Sequence, residues 1–403
     1  MSGVVIVGAG HAGVQAAASL RDEGFEGAIA LLSAEAELPY QRPPLSKAFL
    51  KGQIDLAGLP LKARRFFAEH DIDLALGVTA KRIDRAGRFV DLSSGETASY
   101  DHLILATGAR ARALRAPGLD LAGVHVLRTI RDAASLKDEM SRARRLVVVG
   151  AGFIGLEAAA TACALGLSVI VVEIADRPMG RAVSPATSAF FEHAHRGFGA
   201  QFRFGAGLGA LQGTGRVAEV ELSDGTRLPA DLVLVGVGVL AEDALALAAG
   251  LDCADGVLVD DRLISSDPAI SAIGDCARFP YEGAQARLES VQNATDQARG
   301  VARRLTGKSE PYASLPWFWS DQGDLKLQIA GLSTGVDRWV TRGGAERALT
   351  VFGFAANKLK AVETINRGAD HMAARRLLAA GTPLTPEQAA DESVDLRKLA
   401  LGR

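Results

Sequence analysis

Two glycine-rich hexapeptides have the residue types and the spacing to hold a phosphate group against bare backbone. They are Gly8-Ala9-Gly10-His11-Ala12-Gly13 and Gly150-Ala151-Gly152-Phe153-Ile154-Gly155. In this spacing the first glycine permits a tight turn, the second lets a phosphate approach the backbone, and the third lets a helix pack closely. The amide groups at the helix start then face the anion. Each hexapeptide therefore predicts a site for the pyrophosphate of a dinucleotide.

A carboxylate at the end of the following strand usually accepts hydrogen bonds from the ribose of such a ligand. After the second hexapeptide, the apolar run Val169–Val172 ends at Glu173. Because a carboxylate also repels a 2′-phosphate, Glu173 predicts NADH rather than NADPH at this site. The alternative rests on Arg177, since a nearby arginine could accommodate that phosphate.

The acid near the first hexapeptide is placed less regularly. The following strand ends in Leu31-Leu32-Ser33-Ala34-Glu35, so Glu35 comes one position after the usual place, which Ala34 occupies. We expect Glu35 to bind the ribose of the first dinucleotide. A solvated carboxylate in a turn is the alternative, because glutamate is mostly exposed in proteins.

Both hexapeptides are predicted to lie between a strand and a helix that a second strand follows. The predicted elements are Val4–Val7, Gly13–Glu23 and Ala28–Leu32 for the first unit, and Leu146–Val149, Gly155–Leu165 and Ser168–Glu173 for the second. Gly8 and Gly150 therefore occupy equivalent positions. Such an internal duplication predicts two similar nucleotide-binding domains.

The remaining segments predict further sheets and a different C-terminal domain. Strand-like runs at Arg88–Leu92 and His102–Ala106 indicate a sheet that returns to its own edge and ends in Ala106-Thr107-Gly108. Short strands between residues 201 and 238 close the second domain at Gly236-Val237-Gly238. From residue 317 a strand-like, aromatic texture precedes a helix around Asp370–Ala380, which predicts a smaller α+β domain.

The composition is typical of a globular chain of several domains. With 403 residues, 48% of them hydrophobic and 23% charged, the chain is long enough for more than one core. A net charge of −2 provides no global field for nucleic acid or an anionic membrane. The sequence shows no signal-peptide pattern and no apolar run of membrane-spanning length. We therefore expect a cytoplasmic monomer or weak dimer that binds neither nucleic acid nor membrane.

Two dinucleotide sites in one chain have a chemical rationale, which is hydride transfer from a nicotinamide to a flavin. The first site would then hold FAD and the second NADH. Three cysteines, Cys163, Cys253 and Cys276, are too scattered for a disulfide framework or a metal site. We predict no bound metal.

Four segments carry a resemblance to a known family. They are Leu38-Pro39-Tyr40-Gln41-Arg42-Pro43-Pro44-Leu45-Ser46-Lys47, Ala106-Thr107-Gly108, Ala272-Ile273-Gly274-Asp275-Cys276-Ala277 and Trp317-Phe318-Trp319-Ser320-Asp321-Gln322. In this order they resemble the oxygenase-coupled ferredoxin reductases, which include putidaredoxin reductase-like and biphenyl dioxygenase reductase-like enzymes. The resemblance implies an α/β fold with two Rossmann-like dinucleotide-binding domains of the glutathione-reductase type and a C-terminal α+β domain.

The resemblance also implies domain boundaries. Residues 1–112 and 240–316 would form a discontinuous FAD-binding domain, residues 113–239 the NADH-binding domain, and residues 317–403 the C-terminal α+β domain. One departure is Val239-Leu240-Ala241-Glu242, where the family usually has Pro-Asn. It affects only the local turn at which the chain crosses between domains.

Three side chains are implied to be catalytic. Lys47 would lie beside the isoalloxazine near N5, paired with Glu157, where its ammonium could stabilise negative charge on reduced flavin. Trp319 would flank the flavin on the side of the partner. The alternatives are an exposed lysine, an ordinary acid in the first turns of a helix and a tryptophan packed in a core.

Cofactor contacts follow from the same resemblance. The implied FAD-binding residues are Gly8, Gly10, His11, Ala12, Gly13, Glu35, Lys47, Ala80, Ala106, Thr107, Gly108, Arg128, Asp275, Val291 and Trp319. Asp275 would bind the ribitol or phosphate region, and Arg128 would bind through its side chain. Val291 and Ala80 would contribute backbone near the ring and the adenine. The NAD-binding residues are Gly150, Gly152, Phe153, Ile154, Gly155, Glu173 and Gly238.

The electron acceptor follows from the cysteines. Disulfide reductases of the superfamily place a cysteine pair beside the flavin, and this sequence has none there. Release of single electrons to a [2Fe–2S] ferredoxin, which would feed a cytochrome P450 or a ring-hydroxylating oxygenase, is the natural route. Reduction of rubredoxin or another small acceptor, and an apoptosis-inducing-factor-like binding function, are competing hypotheses.

Ferredoxins are generally acidic, so we expect a basic docking face despite the nearly neutral total charge. The candidate cations are Arg64, Arg65, Arg303, Arg304, Lys326, Arg338 and Arg342. Scattered solubility charges are the alternative for any one of them.

Overall fold

A computed structural model shows how these segments fold, and it describes residues 3–402. Met1 and Ser2, the start of the segment checked for a signal-peptide pattern, lie outside the described residues. The chain divides into two compact units. The first unit contains the residues up to Gln41, Leu56–Arg110 and Val239–Ser314, and the second contains Arg42–Asp55, Ala111–Gly238 and the residues from Leu315 onward. No helix within residues 3–402 is both long and apolar enough to cross a lipid bilayer.

Strands and helices alternate along the chain. Up to residue 125 they are β1 (Gly3–Val7), α1 (His11–Asp22), β2 (Ala28–Ser33), α2 (Arg64–Glu69), β3 (Ile72–Leu76), β4 (Ala80–Asp84), β5 (Phe89–Leu92), β6 (Thr97–Ser99), β7 (His102–Leu105), β8 (Ala109–Ala111) and β9 (Val124–His125). Up to residue 241 they are α3 (Ile130–Met140), β10 (Arg145–Val149), α4 (Phe153–Ala164), β11 (Ser168–Glu173), α5 (Pro185–Gly197), β12 (Ala200–Phe204), β13 (Leu208–Thr214), β14 (Arg216–Leu222), β15 (Arg227–Pro229), β16 (Leu232–Val235) and β17 (Val239–Ala241). The rest are α6 (Ala244–Ala248), β18 (Val257–Leu258), β19 (Ile270–Ala272), β20 (Ala277–Tyr281), β21 (Ala284–Ala286), α7 (Val291–Leu305), β22 (Trp317–Gln322), β23 (Leu325–Gly331), β24 (Arg338–Ala345), β25 (Ala348–Ala355), β26 (Lys358–Ile365), α8 (Gly368–Ala380), α9 (Pro386–Ala390) and α10 (Leu396–Ala400). Short 3-10 helices cover Pro43–Ser46, Leu56–Gly58 and Gly274–Cys276.

The first unit is built on a five-stranded parallel sheet in the order β19-β7-β1-β2-β3. Its central strands are runs of Val, Ile and Leu that are buried, as expected where helices cover both faces of a parallel sheet. The sequence predicted that the strands of residues 81–107 form one sheet with β1. This is wrong for β4–β6, which form a separate antiparallel sheet, while β7 alone pairs with β1. The cause is local, because the Gly87 amide donates to the Asp84 carboxylate (2.7 Å) and closes a tight turn between β4 and β5.

The second unit repeats this arrangement with a parallel sheet in the order β12-β11-β10-β16-β9. The strands β10, β11 and β16 correspond to β1, β2 and β7 of the first sheet, and β13–β15 add a small antiparallel sheet. The predicted duplication of a Rossmann-like unit is therefore confirmed.

The residues from β22 onward form a five-stranded antiparallel sheet in the order β22-β23-β26-β25-β24. The helix α8 packs against this sheet, where Ala374 and Leu377 share a buried cluster with Phe352 and Phe354. The predicted α+β character of the C-terminal region is confirmed.

Candidate functional site

The first hexapeptide forms an open cradle at the N-terminus of α1. Gly8 has a φ of +107°, and a Cβ atom there would lie 2.2 Å from the Ala106 carbonyl oxygen. A Cβ atom on Gly13 would lie 1.9 Å from the Gly8 carbonyl oxygen, so the helix touches the turn directly. Gly10 faces a space with no described atom within 4 Å, and no described side chain caps α1. Bare backbone, uncapped amides and the helix dipole fit a dinucleotide pyrophosphate.

The second hexapeptide repeats this geometry at α4. Gly150 has a φ of +104°, and a Cβ atom there would lie 2.4 Å from the Gly236 carbonyl oxygen. A Cβ atom on Gly155 would lie 2.2 Å from the Gly150 carbonyl oxygen, whereas Gly152 again faces space with no described atom within 4 Å. The start of α4 likewise has no cap from a described side chain. Both cradles therefore fit the same chemical group.

The segment after β7 completes the wall of the first cradle. Ala106 is buried and its amide donates to the Val7 carbonyl oxygen (2.8 Å). The Thr107 hydroxyl donates to the Glu242 carbonyl oxygen (2.5 Å), and the Glu242 amide donates to the Gly108 carbonyl oxygen (2.9 Å). The departure from the family pattern at residues 239–242 therefore leaves the chain crossing well held.

The turn around Asp275 lies next to the first cradle. Gly274 has a φ of +75°, and a Cβ atom there would come within 3.1 Å of the Ala12 side chain and 3.6 Å of the Ala294 side chain. Ala294 lies one helical turn after Val291, the first residue of α7. The first unit thus brings together the cradle, Asp275 and the start of α7.

Glu35 follows β2 and is held by its neighbours. The Tyr40 hydroxyl donates to the Glu35 carboxylate (2.5 Å), so this half-buried acid differs from a solvated turn residue. The Gly77 amide donates to the Glu35 carbonyl oxygen (3.0 Å). This bond places the segment that leads into Ala80 beside Glu35.

Glu173 points back to the second cradle from the end of β11. Its carboxylate accepts hydrogen bonds from the amides of Ala151 (2.8 Å) and Ala175 (3.0 Å). Arg177 instead donates to the carbonyl oxygens of its own loop at Gly180 (2.7 Å) and Val183 (3.1 Å). The guanidinium therefore braces the loop, and the carboxylate is the charged group at the cradle.

Gly238 ends the segment after β16. It has a φ of +95°, and no described atom lies within 4 Å of the place that a Cβ atom would take, so this backbone also borders open space. Its carbonyl oxygen accepts a hydrogen bond from the Arg112 amide (3.0 Å).

Lys47 and Glu157 form an ion pair within the second unit. Lys47 Nζ lies 2.8 Å from Glu157 Oε2, with 19% of the lysine side chain and 3% of the glutamate side chain exposed. The same Oε2 accepts the Ser46 hydroxyl (2.5 Å), and Oε1 accepts the Ser320 hydroxyl (2.7 Å). A carboxylate this deeply buried is tolerated because three donors converge on it.

Helix periodicity explains how α4 presents this carboxylate. Phe153 and Glu157 are four residues apart and lie on one face of the helix. The Phe153 ring contacts the Phe318 ring with 4.6 Å between centroids. The face of α4 that begins at its cradle therefore packs against β22.

The pleat of β22 gives this strand two different faces. Ser320 and Gln322 are buried, whereas Trp317 and Trp319 on the opposite face are half-exposed with ring centroids 5.4 Å apart. The tryptophan that the sequence assigned to the flavin is therefore the direct chain neighbour of a residue bonded to Glu157.

Positive charge surrounds the tryptophan pair. The Arg375 guanidinium lies 4.7 Å from the centroid of the Trp317 ring, and the His371 ring lies 6.0 Å from the same ring. Burial, together with Arg375 and Lys326, lowers the pKa of His371 to about 4. Two cations therefore lie near an aromatic surface.

Arg128 precedes α3 and has its backbone fixed on both sides. Its amide donates to the Asp132 carboxylate (3.0 Å), and its carbonyl oxygen accepts a hydrogen bond from Arg42 (2.6 Å). Arg42 belongs to the resembling segment that ends in Lys47, so this bond ties that segment to α3.

None of the three cysteines has the environment of a redox nucleophile. Burial raises the pKa values of Cys163 and Cys253 to about 11 and also raises that of Cys276. The Cys276 thiol contacts the carbonyl oxygens of Leu105 (3.4 Å) and Ile273 (3.3 Å). Since the thiolate is the reactive form, these side chains are inert near neutral pH.

Two of the cations predicted for docking are unsuited to it. Arg342 is 5% exposed and donates to backbone carbonyl oxygens such as that of Val394 (2.7 Å), so its assignment to a docking face is wrong. Arg304 is half-buried and donates to the Ser271 hydroxyl (2.6 Å). Arg64, Arg65, Arg303, Lys326 and Arg338 are exposed. Sequence alone could not separate these cases, because an arginine that satisfies buried carbonyl groups has the same side chain as a surface arginine.

Several side chains that build the site were not predicted from the sequence. They are Tyr40, Arg42, Ser46, Ser320, Gln322, His195 and Arg375. Ser46, Ser320 and Gln322 lie within the resembling segments, which was the only signal available for them.

Comparison with known proteins agrees with this geometry. Residues 2–298 match the family model described as pyridine nucleotide-disulphide oxidoreductase, and residues 317–400 match the model described as reductase C-terminal. Rhodocoxin reductase from Rhodococcus erythropolis is 49% identical over 99% of this chain and 94% of its own length.

Two solved structures also have the same fold over the full chain. A ferredoxin reductase for a cytochrome P450 system from Rhodopseudomonas palustris has a TM-score of 0.97 and 51% identity, over 99% of this chain and 100% of its own. The putidaredoxin reductase in a covalent complex with putidaredoxin has a TM-score of 0.97 and 38% identity, over 100% of this chain and 98% of its own. With both cradles fitting a dinucleotide, the chain belongs to the pyridine nucleotide-disulphide oxidoreductase family and is an FAD- and NAD(H)-dependent oxidoreductase of the ferredoxin-reductase type.

Proposed function

We propose that the protein passes electrons from NADH through FAD to a [2Fe–2S] ferredoxin, with the FAD pyrophosphate in the first cradle and that of NADH in the second. One observation carries this proposal. The chain contains two open cradles of the same geometry, while burial keeps its thiols protonated. Electrons that enter as a hydride therefore leave without a dithiol step, and the ferredoxin-type acceptors of the named relatives support a one-electron acceptor.

Bound FAD supplies the chemistry that accepts a hydride and releases its electrons singly. The side chains of the protein orient the ligands and place charge. Lys47 is assigned to the isoalloxazine, where an ammonium fixed by Glu157 at 2.8 Å offsets negative charge. Trp319 is assigned to the side of the ring that faces the acceptor, where it excludes water.

The other FAD contacts belong to the same proposal. Glu35, oriented by Tyr40, is assigned to the adenine ribose, and Ala80 backbone to the adenine. Asp275 is assigned to the ribitol or phosphate region, Arg128 to a side-chain contact, and Val291 to a backbone contact near the ring. Residues 1–112 with 240–316 would form the FAD-binding domain, residues 113–239 the NADH-binding domain, and residues 317–403 the C-terminal domain.

Preference for NADH over NADPH is assigned to Glu173. Its carboxylate already lies at the second cradle, 2.8 Å from the Ala151 amide, where a 2′-phosphate would meet like charge. Arg177 is engaged by its own loop and is therefore poorly placed to offset that repulsion. Ile174 is 76% exposed beside Glu173 and offers an apolar surface to the adenine ring.

The docking surface for an acidic ferredoxin is placed around Trp317 and Trp319. Arg375 and Lys326 supply positive charge at this surface, since both lower the pKa of the neighbouring His371. Complementary charge would steer an acidic partner to the tryptophan pair and raise the association rate. The reduced ferredoxin would then feed a cytochrome P450 or a ring-hydroxylating oxygenase.

A stopped-flow assay tests this function. The holoenzyme is mixed with NADH under anaerobic conditions, and cytochrome c reduction is followed with a [2Fe–2S] ferredoxin, with rubredoxin or with no carrier. We expect fast flavin reduction and a cytochrome c rate that depends on the ferredoxin. A rate that depends on rubredoxin alone would assign the acceptor to that class. Equal rates with and without carrier would contradict a ferredoxin reductase.

A further inference from the structure

A continuous line of hydrogen bonds runs from Glu157 through β22 to a buried histidine of α5. The Ser320 hydroxyl lies 2.7 Å from Glu157 Oε1, and the Gln322 amide nitrogen lies 3.2 Å from the Ser320 oxygen. The Gln322 amide oxygen lies 2.8 Å from Nε2 of His195. Ser320, Gln322 and His195 are each 0% exposed.

The chemistry of the end group fixes the direction of every bond in this line. The carboxylate of the Lys47–Glu157 ion pair is an acceptor, so the Ser320 hydroxyl must donate to it. The Ser320 oxygen is then left to accept from the Gln322 amide group, which also points its nitrogen at the Met179 sulfur (3.5 Å). The Gln322 oxygen is therefore the atom that faces His195, and it can only accept.

This direction selects one tautomer of His195. Nε2 must carry the proton, which leaves Nδ1 as an unprotonated nitrogen. Nδ1 is buried and has no partner among residues 3–402, and the rings of Phe191, Phe198 and Phe202 surround the imidazole. Burial lowers the pKa of His195 to about 4, so a neutral ring occupies this apolar pocket at neutral pH.

We propose that Ser320, Gln322 and His195 are positioning residues for the Lys47–Glu157 pair. Their donors all point toward Glu157 and hold Oε1, while Ser46 holds Oε2 from the other side. With both oxygens fixed, the carboxylate cannot rotate, and the Lys47 ammonium bound to Oε2 is fixed with it. The inference rests on the proposed function only in assigning Lys47 to the isoalloxazine.

The NMR test does not depend on electron transfer. In holoenzyme labelled with ¹⁵N-histidine, His195 is expected as a pure Nε2–H tautomer, and its signal is assigned by its loss in His195→Gln. Ser320→Ala removes the donor to Glu157 and frees the Gln322 amide to turn over, so the tautomer should become mixed or reversed. Ser188→Ala is the matched control, since it removes another 0% exposed hydroxyl of the second unit, bonded to Pro178. Its His195 spectrum should be unchanged.

The kinetic test asks whether the line positions the ion pair. Ser320→Ala should reduce the rate of flavin reduction at saturating NADH by about tenfold, the value of one hydrogen bond to a charged group, with unchanged NADH affinity. Ser320→Thr retains the hydroxyl and should restore both the rate and the tautomer. Ser188→Ala should keep the parent rate.

Two results would overturn the proposal. The first is a His195 tautomer that carries its proton on Nδ1 or does not respond to Ser320→Ala. The second is an altered tautomer with a parent rate of flavin reduction. Failure of the proposed function gives a different pattern, in which Lys47→Met leaves flavin reduction unchanged while the His195 tautomer still responds to Ser320→Ala.

Discussion

The hydroxyl of Ser320 donates a hydrogen bond to Oε1 of Glu157 across 2.7 Å. The bond joins the first strand of the C-terminal sheet to the helix that starts at the second cradle. It links residues 163 positions apart in the chain, and both are buried. The C-terminal domain thus supports a carboxylate that belongs to the nucleotide-binding sheet of the same unit.

Lys47→Met removes the cation while keeping a side chain of similar length. We expect flavin reduction by NADH to slow by about 10²-fold and the FAD potential to become more negative, because negative charge on the ring loses its partner. Anaerobic stopped-flow and spectroelectrochemical titration measure the two quantities. Lys51→Met, in the same segment, should keep both values. A variant with the parent potential would contradict the placement of Lys47.

Glu173→Gln separates the two nucleotide sites. Loss of the charge should raise the KM for NADH by about tenfold, since bonds from ribose hydroxyls to a charged acceptor are lost, and should narrow the preference over NADPH. The FAD content should stay at one per chain. Steady-state kinetics and flavin absorbance test this prediction, with the exposed Glu192→Gln on α5 as the control. An unchanged KM would show that another group binds the ribose.

Gly10→Val and Gly152→Val test the two cradles against each other. Both glycines have ordinary extended backbone, with φ near −78° and −77°, and face open space, so a valine should fold but fill the place of a phosphate. We expect Gly10→Val to be purified without flavin. Gly152→Val should retain FAD and fail to bind NADH. Absorbance spectra and NADH titration provide the measurements, and the opposite pattern would reverse the assignment of the cofactors.

Charge reversal tests the docking surface. The double variant Lys326→Glu and Arg375→Glu should lower the association rate with an acidic ferredoxin by about tenfold or more at low salt, with a weaker salt dependence. The rate of flavin reduction by NADH should be unaffected. Arg397→Glu, on the exposed face of α10, is the control. Equal association rates for the variant and the parent would place docking elsewhere.

Buried histidines predict sensitivity to acid. The pKa of His371 falls from 6.5 in the unfolded chain to about 4 in the folded protein, chiefly by burial. The unfolded state therefore binds more protons in this window, and stability present above pH 6.5 is lost as the pH falls toward 4. His371→Phe should reduce this loss by about 1–3 kcal/mol. Urea unfolding at several pH values measures it, with the exposed His193→Phe as the control; an identical pH profile would contradict the prediction.

Local patterns explain what the sequence could predict. The cradles, their flanking strands and Glu173 depend on residues within about 25 positions of one another, where turn chemistry and periodicity act directly. The separate sheet β4–β6 was missed because strand-like runs do not state which edge they join. Ser46 and Ser320 reach Glu157 from 111 and 163 positions away, so their roles emerge only from packing. The burial of Arg342 is hidden for the same reason.

The two faces of β22 have a mechanical consequence. Trp319 and Ser320 share a peptide bond, so a partner that presses on the indole also displaces the hydroxyl that secures Glu157. Acceptor binding and the electrostatics of the lysine are then thermodynamically linked, and the linkage acts equally in both directions. A change of charge near Lys47 would be felt as a change in affinity on the far side of a single strand.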